Sequence, residues 1–207
     1  MKYLNLCCGS VRDQSDDWIN IDHLLPVLGK WSPEWAQLLT EKNYIEHDIT
    51  ASQIPFEAET FDGILMSHCL EHWDCQQGVK IMQDCRRALK PGGILLVSVP
   101  DASYFRKVYD RDTVENAVEL FGEPIHLPDG ETTFLGYGLW NRYHKAILTE
   151  DSLWAYFVRA GFKEPDRIQF DSGRMVYPSV VTGYPLDQMV DKLNRIPFSL
   201  CMFAAKE

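Results

Sequence analysis

The stretch "YLNLCCGS" at residues 3–10 sets a short apolar run against two adjacent cysteines, a glycine and a serine. Read as a strand entering a turn, it opens an α/β fold. Gly9 would let the backbone pass close to a ligand, and the amides of a following helix would face an anion. A redox pair is the competing reading, but adjacent cysteines close a strained ring, and a small apolar filler at a strand end is the simpler role. The dinucleotide pattern G-x-G-x-x-G needs three glycines where this turn has one, which argues against NAD or FAD.

Outward from that turn, strand-like and helix-like stretches alternate. Apolar runs at 3–7, 18–21, 44–47, 61–66 and 94–99 read as buried strands of a doubly wound, largely parallel sheet. Ser32 and Pro33 start a helix with Trp35, Leu38 and Leu39 on one face. Val79, Met82, Cys85 and Leu89 recur at helical spacing and stop before Pro91-Gly92-Gly93, which is expected to turn the chain into the fifth strand. Thr149 caps a helix that opens on Glu150 and Asp151, buries Leu153, Phe157 and Ala160, and ends at Gly161. A helix near 186–193 and a closing strand at 198–205 complete the pattern. The aromatic-rich segment 101–145 follows the fifth strand, where loops over the carboxyl edge build a ligand crevice, and is expected to be a lid or substrate-binding insertion.

A chain of 207 residues with 45% hydrophobic composition fills one core, so residues 1–207 are expected to form a single domain. A formal net charge of −10 disfavours nucleic acid and acidic membrane surfaces, which need clustered Lys and Arg. No signal-peptide core or membrane span is legible, and a cytoplasmic protein is expected. The six cysteines form no C-x-x-C pair and are expected to be reduced thiols.

Two carboxylates fall at strand ends. Asp22 closes "WINID", where an acidic side chain can accept hydrogen bonds from both ribose hydroxyls. Asp48, in "IEHDI", could meet an adenine amino group, with Ile49 over the ring. Farther on, "HCLEHWDC" admits a metal reading, since His68 and His72 are four apart with Cys69, Glu71 and Cys75 nearby. His68 is expected at a strand end rather than on the helix, so no metal is expected.

Taken in order, "LNLCCGS", "WINID", "HDIT", "IPFEAETFDGILMSHCLEHW", "RRALKPGGILLVSVPD" and "HKAILTEDSLWAYFVRAGF" resemble the class I S-adenosylmethionine-dependent methyltransferases of the type 11 group. The resemblance implies a Rossmann-like, seven-stranded, mostly parallel sheet with an antiparallel last strand and helices on both faces. It implies S-adenosyl-L-methionine as cofactor, S-adenosyl-L-homocysteine as product, and a cofactor-binding set of Asn5, Cys7, Cys8, Gly9, Ser10, Asp22, His23, Asp48, Ile49, Ser67 and His68. Within that set, Cys7 to Ser10 would follow the methionine part, Asp22 the ribose, Asp48 and Ile49 the adenine, and Ser67-His68 the methyl end. The family usually has glycine at the place of Cys7, and a Cβ there narrows the room for the cofactor or alters the turn.

The function implied is methyl transfer to a small-molecule acceptor at O, N or C. His68 is the first candidate for a general base, followed by His144 and Asp101. The alternative is a catalytically silent cofactor-binding protein that acts through partner contacts. The aromatic insertion makes a homodimer possible as well.

Overall fold

The computed structural model describes residues 1–8, 15–23, 43–103, 145–146, 148–171, 174–176 and 199–207. Its main sheet has seven strands: β1 (Tyr3–Leu6), β2 (Trp18–Asp22), β3 (Tyr44–Glu46), β4 (Phe61–Ser67), β5 (Leu89–Pro100), β6 (Asp166–Arg167) and β9 (Ser199–Ala205). They lie in the order β3-β2-β1-β4-β5-β9-β6. The first five pair in parallel, while β9 runs antiparallel to both β5 and β6. A separate antiparallel pair, β7 (Gln169–Asp171) and β8 (Arg174–Val176), was not legible in the sequence.

The strand order reverses at β1, which has β2 on one side and β4 on the other. Helices must cross to opposite faces on either side of such a point, so a crevice opens at the carboxyl ends of the two central strands. In register, Leu6 lies beside Met66, so the chain leaves the sheet at Cys7 and at Ser67-His68 side by side.

Helix α1 (Cys75–Ala88) starts where the Asp74 carboxylate accepts the Gln77 amide at 2.9 Å, and buries Ile81, Met82, Cys85 and Ala88. Helix α2 (Glu150–Arg159) starts at the expected cap: Thr149 and Ser152 satisfy each other's backbone amides, and Leu153 and Phe157 are buried. Both helices contribute to one core with Leu4, Leu6, Ile64, Met66, Leu95 and Val97 of the sheet. The opposite face buries Tyr3, Trp18, Leu65, Leu96 and Phe203. The helices expected from Ser32 and near 186–193, and positions 104–144 of the expected insertion, lie outside the described residues.

One local expectation is corrected. Leu89 to Gly93 is not a turn between helix and strand: α1 gives way directly to β5, with Leu89 already paired to Phe61 and a register shift before Gly63 meets Ile94. The Pro-Gly-Gly run is absorbed as an irregularity in the strand. Gly93 is required there, because a Cβ would lie 2.9 Å from the Lys90 carbonyl oxygen and 3.1 Å from that of Phe61.

Candidate functional site

At the carboxyl ends of β1, β2 and β3, a cavity is lined by Cys7, Ile21, Asp22, His23, His47, Asp48, Ile49, Thr50 and Trp73. Asp22 is positioned by its place as the last residue of β2, and its Oδ1 accepts the His23 amide at 2.7 Å. Asp48 follows β3 and is pinned by Thr50, whose hydroxyl and amide donate to Oδ1 at 2.7 and 2.8 Å. Those hydrogen bonds, the Thr50 hydroxyl foremost, hold the Asp48 carboxyl below its ordinary value. His23 bridges the two walls, with Nδ1 2.9 Å from Glu46 Oε1 and Nε2 4.0 Å from Asp48 Oδ2. A lining that combines the carboxylates of Asp22 and Asp48 with Ile49 and Trp73 suits a flat, polar-edged group.

The turn after β1 explains why glycine suits it. Cys7 has φ +57°, in the left-handed region that an ordinary side chain enters at a cost of roughly 1–2 kcal/mol. Its sulfur is bonded to that of Cys69, across a Cα separation of 5.9 Å. This corrects the expectation that every cysteine is a reduced thiol. The two partners are 62 positions apart, and only the pairing of β1 with β4 brings them together. Cys8, Cys75, Cys85 and Cys201 form no disulfide.

Beyond β4 the chain bends sharply. His68 has φ +51°, its amide donates to the Ser98 carbonyl at 2.8 Å, and a 3-10 turn follows at Leu70–His72. The ring sits between two polar side chains: Nε2 lies 2.8 Å from Ser199 Oγ and Nδ1 3.4 Å from Glu71 Oε1. Among the described residues, no three His, Cys, Asp or Glu side chains converge as metal ligands.

The structure gathers Cys7, Asp22, His23, Asp48 and Ile49 around one cavity. Ser67 and His68 stand at the end of the adjoining β4, before Cys69. Asn5 is buried in the sheet, its amide donating to Asn20 Oδ1 at 3.2 Å, and does not line the cavity. Cys8 is likewise buried, with its amide on the Ile21 carbonyl at 3.2 Å. Asp101 follows β5, where its carboxylate accepts the Ser103 amide at 2.8 Å and lies 3.6 Å from Arg167 Nη2. Gly9, Ser10 and His144 lie outside the described residues. Trp73, Thr50 and Ser199 were missed by the sequence reading, and Glu71 was named there only as a possible metal ligand; of the three missed, only Thr50, two residues past Asp48, carried a local signal, that of an Asx turn.

The fold is shared with solved structures. A SAM-dependent methyltransferase from Archaeoglobus fulgidus superposes with a TM-score of 0.56 at 15% identity, over 99% of this chain and 86% of that one. A SAM-dependent methyltransferase from Thermotoga maritima, described as a possible histamine N-methyltransferase, gives 0.55 at 15% identity, over 100% and 82%. Residues 30–97 match a family model described as a methyltransferase domain. The chain thus shares the fold of S-adenosylmethionine-dependent methyltransferases, and residues 30–97 are similar to their methyltransferase domain. A third structure similar in fold is an O-methyltransferase family 2 protein from Planctomyces limnophilus in complex with apigenin. It has a TM-score of 0.53 at 14% identity, over 99% of this chain and 49% of that one. No curated protein matches this chain in sequence. The cavity's lining fits the S-adenosylmethionine of such enzymes: two carboxylates, Asp22 and Asp48, and three apolar side chains, Ile21, Ile49 and Trp73, meet there. At the end of β4, the buried Ser67 Oγ has no hydrogen-bond partner among the described residues.

Proposed function

We propose that this chain is an S-adenosylmethionine-dependent methyltransferase that acts on a small-molecule acceptor, with its cofactor in the Asp22–Asp48 cavity and His68 as general base. The observation that carries the reading is the adjacency of that cavity to His68: Cys7 lines the cavity and is joined to Cys69, the residue after His68. A net charge of −10 supports a small molecule over a nucleic acid. So do the words attached to two of the similar structures, histamine for one and apigenin for the other. No helix among the described residues is long and apolar enough to cross a membrane.

In this reading Asp22 holds the ribose hydroxyls, Asp48 and Ile49 flank the adenine with Trp73 across from them, and Cys7 and Ser67 stand toward the methionine part. The bound cofactor supplies a sulfonium-activated methyl group. The protein's own work is to exclude water, hold the acceptor's nucleophile in line, and take its proton. His68 is a quarter or less exposed, at 20%, which lets a small acceptor reach it while shielding the ring from bulk solvent.

Calorimetry with S-adenosylhomocysteine, followed by a broad acceptor screen, tests the reading. His68→Ala should lower turnover by a factor of 10²–10⁴ while leaving cofactor affinity within a few-fold. Unchanged turnover removes His68 from the mechanism, and no binding of either S-adenosylmethionine or its product removes the cavity assignment.

A further inference from the structure

The two sulfurs of the Cys7–Cys69 bond have different surroundings. Cys69 is 1% exposed and belongs to the core that holds Met66 and Leu70, whereas Cys7 is only partly buried and lines the cavity beside Asp22 and Asp48. The backbone on either side of Cys7 is held without the bond. Leu6 pairs with both Ile21 and Met66, and the Cys8 amide donates to the Ile21 carbonyl at 3.2 Å. What the bond adds is a fixed direction for the Cys7 side chain. It also ties that side chain to the start of the turn that carries Trp73 to the same cavity, where the Cys69 carbonyl accepts the His72 amide at 3.1 Å. A chain of this length fills its core without a cross-link, so the bond's place at the cavity is the feature to explain.

We propose, resting on the cofactor's place in the Asp22–Asp48 cavity, that the Cys7–Cys69 bond is a reversible modification site for a dithiol reductant, and that its reduced form binds the cofactor more weakly. Among the described residues, Cys7 is the member of the pair that meets the cavity, so the reductant approaches there. A thiolate of the dithiol attacks Cys7 Sγ, and the sulfur–sulfur bond breaks with its electron pair on Cys69 Sγ, which takes a proton. The reductant's second thiolate then displaces Cys7 from the mixed disulfide. Cys7 takes a proton in turn, and the reductant leaves as its own disulfide, having passed two electrons and two protons to the protein. Unbonded sulfurs keep a van der Waals separation that a bond abolishes, so reduction pushes the two apart. Cys69 has packed core around it and Cys7 has the cavity, so the Cys7 thiol turns into space that the cofactor needs. By linkage, a cofactor that disfavours the reduced form protects the bond by the same factor.

Calorimetry of the whole protein with S-adenosylhomocysteine, first kept from reductant and then in excess dithiothreitol, compares the two forms. Thiol counting after denaturation should find four thiols before reduction and six after it. The reduced form should bind about 5-fold more weakly or worse, and saturating S-adenosylhomocysteine should shift the equilibrium with a dithiothreitol redox pair toward the protein disulfide by the same factor. Cys69→Ser, which keeps the crowding but cannot form the bond, should bind like reduced wild type whether or not dithiothreitol is present. If that variant does not fold, the two forms of wild type still decide. Equal affinity of the two forms overturns the proposal and leaves the cavity assignment standing, whereas no binding by either form removes both. A reduced protein that has lost its far-ultraviolet circular dichroism shows a staple of the fold and overturns it as well. So do six thiols before reduction, or a response to dithiothreitol that persists in Cys69→Ser.

Discussion

Cys7 and Cys69 join the ends of β1 and β4 across the switch point of the sheet, with Cα atoms 5.9 Å apart and Cys7 lining the cavity beside Asp22 and Asp48. Peptide mapping without reductant should recover these two cysteines linked, and the other four as free thiols. Among the free ones, exposed Cys75 should alkylate first. Cys201, whose thiol burial pushes up to about 11, should follow far more slowly, and fully buried Cys85, pushed higher still by burial, slowest of all. Equal labelling of all six would contradict both the pairing and the burial.

The left-handed backbone at Cys7 separates two substitutions that look alike. In reductant, Cys7→Ala keeps a Cβ at φ +57°, and Cys7→Gly removes it. Relief of roughly 1–2 kcal/mol exceeds the roughly 0.5–1 kcal/mol of added glycine entropy. Denaturant unfolding should therefore find Cys7→Gly more stable than Cys7→Ala by about 1 kcal/mol.

Asp62 receives Lys90 Nζ at 2.9 and 3.0 Å and the Lys2 amide at 2.7 Å. Burial raises its carboxyl, but the Lys90 and Lys2 hydrogen bonds outweigh that and hold it below the ordinary value. A carboxyl depressed in the folded state adds stability at neutral pH that disappears as the pH falls through its folded value. Asp62→Asn should cost about 1 kcal/mol at pH 7, with the Lys90 side chain 43% exposed limiting the effect, and the gap to wild type should close in acid.

Asp22→Ala should weaken S-adenosylhomocysteine binding by about 10–100-fold in calorimetry, the worth of one or two charge-assisted hydrogen bonds, with little change in melting temperature. The side chain lies at the end of β2, outside the core cluster that Ile21 joins. A variant that binds normally would move the ribose contact to another residue.

What could be read from the sequence was whatever local chemistry dictates. The Thr149 cap, the buried face of α1 and the apolar runs of the five parallel strands follow from periodicity and capping, and the carboxylates Asp22 and Asp48 fall at or just past strand ends for the same reason. Asn5 shows the limit of that logic. It sits one residue from Leu4 and Leu6, so the strand's alternation turns it to the other face, where it meets Asn20 rather than the cavity. The bonds of Cys7 to Cys69 and His68 to Ser199 are long-range, and nothing near either residue announces its partner. Trp73 reaches the cavity through the 3-10 turn after His68, a bend that helical spacing in "HCLEHWDC" did not foretell.

The position of β9 has a consequence for how the chain becomes active. It comes after the other described strands in the chain, yet it lies between β5 and β6, and it brings Ser199 to His68. Until residues 199–205 have been made and paired, β5 and β6 lack the neighbour that β9 gives each of them among the described residues. The nascent protein can assemble the wall around Asp22 and Asp48 early, but the hydroxyl that faces the imidazole arrives only when the sheet closes.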